Sequence, residues 1–210
     1  GGAPSRTLDD KAHFFAHDVT SETSWDQVVA ATFETLDGFD ILVNCAGVLT
    51  NGTIESTSFD AWRHTLAVNL DGTFLGCRAA VRAMREQEGS IVNLSSTSGI
   101  IGNPDSAAYD ASNGGVRLLT KSVALHCARE RYAIRCNSVH PGGTLTPMAH
   151  NHFAAQSDPE AEEQAWLATL PIGRFGHPGE IAAMILYLAS NESSFVTGAE
   201  FIIDGGKTAR

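Results

Sequence analysis

The chain has 210 residues, 43% of them hydrophobic and 18% charged, which is enough to bury a core without disulfide or metal staples and suits a single domain. Lys and Arg total 14 against 24 Asp and Glu, for a net charge of -10. Such a surface repels phosphate backbones and anionic lipid, and so argues against nucleic-acid and membrane partners.

The first apolar run, His13-Phe14-Phe15-Ala16-His17, predicts a short strand leading to Asp18-Val19. Ser24-x-x-Gln27 reads as a capping box opening a helix. Trp25, Val28, Val29, Thr32 and Leu36 share one face of it, and Gly38 stands at the C-cap. A strand follows at Phe39-Asp40-Ile41-Leu42-Val43, running into Asn44-Cys45-Ala46-Gly47. Residues 59–85 carry a long helical pattern that the spacing divides near Asn69 to Gly72. Ser90-Ile91-Val92-Asn93-Leu94 is the next strand, leaving through Ser95-Ser96. Helical periodicity returns at Val116, Leu119, Val123 and Cys127, a strand follows at 133–139, and Pro141-Gly142-Gly143 ends it. Asp158-Pro159-Glu160 starts a helix with proline at its first position, and Pro171 stops it. His177-Pro178-Gly179-Glu180 starts another, and Ala199 to Asp204 is the last strand.

Apolar strands each followed by a helix imply an α/β fold whose parallel sheet is covered on both faces. In such sheets ligands bind beyond the carboxyl ends of the strands. The segments found there, Asn44 to Gly47, Ser95-Ser96 and Pro141 to Thr144, are rich in small and polar residues. The four cysteines, Cys45, Cys77, Cys127 and Cys136, are widely spaced, with no Cys-x-x-Cys. This points to a reduced, cytoplasmic protein rather than a disulfide framework. Gly1 to Asp10 has no apolar stretch of the signal-peptide kind, and the longest apolar run, Ile181 to Ala189, falls far short of the ~20 residues of a membrane helix.

At those strand ends the chain resembles the short-chain dehydrogenase/reductase family. Asn44-Cys45-Ala46-Gly47 is similar to the family's Asn-Asn-Ala-Gly, and Val68-Asn69-Leu70 to its asparagine segment. Ile91 to Ser96 is similar to the catalytic serine strand, and Tyr109-Asp110-Ala111-Ser112 to the tyrosine segment, at the family's usual distance from that serine. Arg135 to Gly142 and Asp204-Gly205-Gly206 match later segments. Singly these motifs are weak, since a Ser-Ser pair after a strand is ordinarily turn chemistry; their joint order and spacing carry the resemblance.

The resemblance implies a Rossmann-like doubly wound domain with a lid at about 145–172 and NAD(P)-dependent interconversion of a secondary alcohol and a ketone. It makes Tyr109 the acid/base, Ser96 the hydrogen-bond partner of the substrate oxygen and Asn69 the holder of a relay water. Asp18 and Val19 would meet the adenine; Asn44, Ala46 and Gly47 would line the cofactor. Pro141, Gly142, Thr144 and Thr146 would border the nicotinamide and its phosphates. NAD is mildly preferred from the family at large. The family is usually tetrameric, so a homotetramer or homodimer is expected, paired through the helices at about 60–85 and 106–128 and the last strand.

Two departures bear on this. Four residues after its tyrosine the family carries a lysine that holds the nicotinamide ribose and lowers the tyrosine pKa; here Asn113 stands there. Asn113 still donates and accepts hydrogen bonds but brings no charge. At ~1.5 Å per helical residue, Arg117 and Lys121 lie ~12 and ~18 Å along the axis from Tyr109, too far to replace it plainly. Asn113-Gly114-Gly115 is poor helix sequence, yet the resemblance runs a helix through it. Second, the family begins with a strand, a Thr-Gly-x-x-x-Gly-x-Gly turn, a helix and another strand. Gly1-Gly2 is not that motif, so the strand at 13–17 is expected to be split from the sheet. A bare central edge invites aggregation, and residues upstream of Gly1 are expected to belong to the protein. These departures motivate an alternative: a catalytically lapsed relative that binds a nucleotide or a sister subunit without redox activity.

His150-x-His152 is read as a mobile polar loop rather than a metal site. Trp166, Leu167 and Leu170 form an apolar stripe that covers either an apolar substrate or a subunit contact.

Overall fold

The computed structural model describes residues 12–209. Four strands, β1 Ile41–Asn44, β2 Gly89–Leu94, β3 Ile134–Pro141 and β4 Glu200–Ile203, form one parallel sheet in that order. Asn44 pairs in register with Asn93, Asn93 with Ser138, and Ser138 with Glu200, so a polar row crosses the sheet from the end of β1 to the start of β4.

Side chains of a strand alternate between the faces of the sheet, and here each face has its own core. Ile91 and Cys136 join Leu42, Leu75, Met84 and Cys127 under helices α3 (Gly72–Met84) and α4 (Ala107–Glu130), with Trp25 of α1 (Glu22–Leu36) at the rim. Val92 and Val139 point the other way and pack on Ile181 and Leu188 of α7 (Pro178–Ala189). The result is the doubly wound, Rossmann-like α/β architecture. On β1, Leu42 and Asn44 are buried, whereas Ile41 and Val43 are 49% and 37% exposed.

Several local expectations change. Residues 13–17 form no strand. Helix α1 begins earlier than the Ser24 box: Ser21 is the N-cap, accepting from the Ser24 N–H, and Asp37 rather than Gly38 takes the left-handed C-cap conformation at φ 55°. Ser24 is drawn instead to His17, its hydroxyl 2.8 Å from the imidazole Nδ1, and it accepts from the Asp18 N–H at 3.0 Å.

The long pattern at 59–85 divides where the spacing placed it. Helix α2 (Phe59–Leu66) passes into a π-helical turn, Ala67–Asp71, before α3; such turns often mark functional sites. Helix α4 runs unbroken through Asn113-Gly114-Gly115. Packing overrides propensity there, since a Cβ on Gly115 would sit 2.7 Å from Leu70 Cδ2. The His150-x-His152 segment is no loop: Thr146 caps helix α5 (Pro147–Ala154), with Pro147 at its first turn. The His152 side chain is only 9% exposed and stacks on Trp166 of α6 (Pro159–Ala168) at 4.8 Å between ring centroids.

Leu188 is fully buried on the α7 side of the sheet. Leu188→Ala should cost about 2–5 kcal/mol, the range for emptying such a site, read as a lowered urea midpoint; a loss below about 1 kcal/mol would mean that α7 is loosely seated.

Candidate active site

The carboxyl ends of β1, β2 and β3 open onto one crevice. After β2 the chain turns through Ser95-Ser96 into a single 3-10 turn, Thr97–Gly99. That turn lies directly on α4, where a Cβ on Gly99 would meet the Asn113 carbonyl carbon and oxygen at 2.8 Å. The Ser95 hydroxyl donates to the same carbonyl at 3.1 Å. This contact brings Ser96 to Tyr109, although they belong to different elements.

Both side chains are half-buried and share the crevice. The Ser96 Oγ accepts from the Ser98 N–H at 3.1 Å, which leaves its O–H available as a donor. The Tyr109 phenol faces both the Ser96 hydroxyl and the Asn113 side chain. Burial pushes its pKa above the usual tyrosine value; those two neighbours partly offset the rise, and the Asp110 charge adds to it. No cation acts on the phenol. Arg117 and Lys121 both turn to Glu200, at 2.8 and 2.5 Å.

The asparagines do structural work at the rim. Asn69, in the π-helical turn, accepts from the Val48 N–H at 2.8 Å through Oδ1. Its Nδ2 donates to the Val48 carbonyl at 3.0 Å and to the Ser112 hydroxyl at 3.1 Å. Its amide ties the loop after β1 to α4. Asn44 points inward, donating to Asn93 Oδ1 at 2.8 Å, so Cys45, Ala46 and Gly47 are the exposed residues at the end of β1. Asn113 donates to the Tyr109 carbonyl at 2.9 Å, one helical turn back.

The remaining sequence candidates flank these residues. Asp18 is exposed; the Thr20 N–H and hydroxyl, at 2.9 and 2.8 Å, hold its carboxyl below the usual aspartate range. The Val19 carbonyl accepts from Trp25 Nε1 at 2.9 Å. After β3, the Gly142 N–H donates to Ile203 at 2.9 Å, which seats Pro141-Gly142 against β4. Thr144 donates to the Gly142 carbonyl at 3.1 Å, while the Thr146 hydroxyl is the α5 cap.

Sequence reasoning overlooked two residues. Asn93 sits at the centre of a buried network with Asn44, Thr120, Cys77 and Cys136. His140 is completely buried beside Ser96. A polar residue within an apolar strand was the available signal for each. Among the described residues, no cluster of three or more His, Cys, Asp or Glu is placed to hold a metal. None of their helices is long and apolar enough to cross a membrane.

Cys45, Ala46 and Gly47 are exposed after β1, and the Ser96 hydroxyl and Tyr109 phenol meet after β2.

The chain matches the family model for enoyl-(acyl carrier protein) reductase over residues 5–208. It is 40% identical over 203 residues to the NADP-dependent (R)-specific alcohol dehydrogenase of Lentilactobacillus kefiri, covering 96% of this chain and 79% of that one. Cyclopentanol dehydrogenase of Comamonas testosteroni is 42% identical, with 95% and 78% covered. A crystal structure of a short-chain dehydrogenase/reductase from Burkholderia xenovorans superimposes with a TM-score of 0.88 at 34% identity, over 92% of this chain and 74% of that one.

Asn69→Ala should strand the Val48 N–H and carbonyl at the crevice rim, costing about 1–3 kcal/mol of stability in urea unfolding. Asn69→Asp, which keeps the acceptor, should lose less; equal losses would show that the amide donor is what counts.

Proposed function

Because the chain belongs to the short-chain dehydrogenase/reductase family, we propose that it is an oxidoreductase interconverting a secondary alcohol and a ketone with NAD or NADP, and that Tyr109 is its acid/base. The observation that carries this reading is the convergence of the Tyr109 phenol and the Ser96 hydroxyl at the carboxyl end of the sheet.

In ketone reduction the Ser96 O–H donates to the substrate oxygen and fixes the carbonyl plane. The Tyr109 phenol delivers its proton to that oxygen as the carbonyl carbon gains hydride; alcohol oxidation runs the same step backwards, the phenolate taking the hydroxyl proton. The nicotinamide, when bound, supplies or takes the hydride. Asp18 and Val19 would hold its adenine end, Ala46, Gly47 and the backbone of Asn44 would line it, and Tyr109 and Asn113 would face the nicotinamide ribose. Pro141, Gly142, Thr144 and Thr146 would border the nicotinamide and phosphates. The choice between the two dinucleotides is open to direct comparison: the family at large leans to NAD, and the Lentilactobacillus relative is NADP-dependent. Four free cysteines, one exposed and three buried, suit a reducing, cytoplasmic setting.

A phenol raised by burial and facing no cation is protonated near neutral pH. It is therefore ready to act as an acid in reduction and must ionise to serve in oxidation. Alcohol oxidation should rise with pH through the alkaline range, while reduction holds near neutrality and falls only as the phenol ionises. Initial rates with both dinucleotides, across a panel of secondary alcohols and ketones, test this. Tyr109→Phe should abolish turnover. Asn113→Lys should move the oxidation limb down by about 1–3 pH units, the effect of a close opposite charge. Turnover only after Asn113→Lys would mark a lapsed enzyme, and activity surviving Tyr109→Phe would remove the phenol from the mechanism.

We also infer a homotetramer or homodimer built on the long helices. Leu118 and Leu125, one heptad apart on α4, are 67% and 71% exposed, a stripe that a second copy would cover. Light scattering should give a multiple of the chain mass, and Leu118→Glu with Leu125→Glu should lower it; a monomeric parent protein would overturn this reading.

A further inference from the structure

His140 lies on β3, and its imidazole is fully buried between a group two residues back on the same strand and one just beyond the end of β2. Nδ1 is 3.1 Å from the Ser96 carbonyl oxygen, and Nε2 is 2.8 Å from the Ser138 hydroxyl. A carbonyl only accepts, so Nδ1 carries the hydrogen. In the neutral ring Nε2 then accepts from Ser138, which fixes the tautomer. The same Ser96 carbonyl also accepts from the Gly99 N–H at 3.0 Å, and the Ser95 N–H is held by the Val139 carbonyl at 2.8 Å. The Ser96 carbonyl is thus held by one backbone N–H and by the His140 side chain, and the residue before it is tied to β3.

We propose that His140 is a positioning residue that holds the Ser96 backbone through its carbonyl and thereby aims the Ser96 hydroxyl at the substrate oxygen. The inference rests on the reading of Ser96 as the group that orients that oxygen. His140 itself touches neither substrate nor dinucleotide in this scheme. The charged groups around the ring are Glu200 of β4 and Arg117 and Lys121 of α4, which are ion-paired with one another. Burial outweighs them and holds His140 below the usual histidine pKa, in the neutral form. Protonation would leave the Nδ1 hydrogen in place, so His140 should contribute no limb of its own to the pH profile.

A double-mutant cycle with Ser96→Ala tests the coupling, because residues acting through one another are not additive. His140→Leu removes the donor and should lower kcat about ten- to a hundredfold, the scale of misplacing a reacting group by up to an ångström, with KM little changed. His140→Asn, whose amide can donate from near the Nδ1 position, should recover most of kcat and keep the parent pH profile. In the Ser96→Ala background, His140→Leu should have no further effect. Thermal unfolding of each variant separates folding from function. If His140→Leu does not fold, Ser138→Ala takes its place: it removes the partner that steadies the ring at Nε2, and should lower kcat about three- to tenfold only where Ser96 is present.

Additive losses in the cycle, a shifted pH profile in His140→Asn, or a Leu variant that raises KM and leaves kcat intact would each overturn the proposal. If Ser96→Ala leaves kcat unchanged, the underlying reading of Ser96 fails instead, and the two failures are told apart by that single variant.

Discussion

The close seating of the Thr97–Gly99 turn on helix α4 decides what the rest of the molecule can do. Ser96 ends a strand and Tyr109 sits in the first turns of a helix, and no local rule makes them neighbours. They meet because Gly99 has no side chain to hold its turn away from the Asn113 carbonyl, and because the Ser95 hydroxyl bonds that same carbonyl. A methyl at Gly99 would need backbone on both sides to move, which a packed helix resists. The pairing of hydroxyl and phenol is therefore fixed by main chain, with side chains free to do chemistry.

The sheet needs its own support at the level where β1 ends, since Asn44, Asn93 and Ser138 stand in register there, buried from water. Asn93 meets this demand: it accepts from Asn44 at 2.8 Å and donates to Thr120 at 3.0 Å, linking β1 through β2 to α4. Asn137 does the same one strand on, donating to Val196 at 2.9 Å and accepting from the Ala199 N–H at 3.0 Å. Buried amides so fully partnered add rigidity, and losing one partner would cost more than the bond is worth. The crevice inherits that rigidity. Its exposed residues at the end of β1 are small because the larger polar side chain, Asn44, is committed to the interior.

Much of this was legible in the sequence, and the pattern of what was not is physical. The strands were readable because burial on both faces leaves them nearly continuous apolar runs, and the break at Asn69 to Gly72 because the helical phase slips there. Helix α7 was readable from His177-Pro178-Gly179-Glu180, and the structure gives it a capping box closed by His177 and Glu180. The apolar run at 13–17 looked like a strand, but a strand exists only by pairing, and these residues pair with none among those described. Ser21 and Ser24 offered equivalent caps, and the choice between them was made by His17 and Asp18, outside the helix. Helix α5 was missed because two histidines drew attention from Thr146-Pro147, a cap and first-turn pair. Tyr109 and Ser96 stand out by order and spacing, whereas Asn93 meets its partners on β1 and α4 and His140 meets the carbonyl of Ser96 beyond β2, contacts that no local pattern announces.

Asn113 then has a local logic of its own. Helix α4 carries two cations on the turns beyond Asn113, but both are drawn to Glu200 at the start of β4, where they balance a carboxylate that would otherwise be costly to hold at the sheet. Asn113 is 5% exposed and sends its amide to the Tyr109 carbonyl, so a lysine ammonium at that depth would need the crevice itself, or a bound dinucleotide, for solvation. A neutral amide at this position closes on the first turns of α4, and the phenol it faces is raised by burial with no cation to lower it. Such a site should favour giving a proton over taking one.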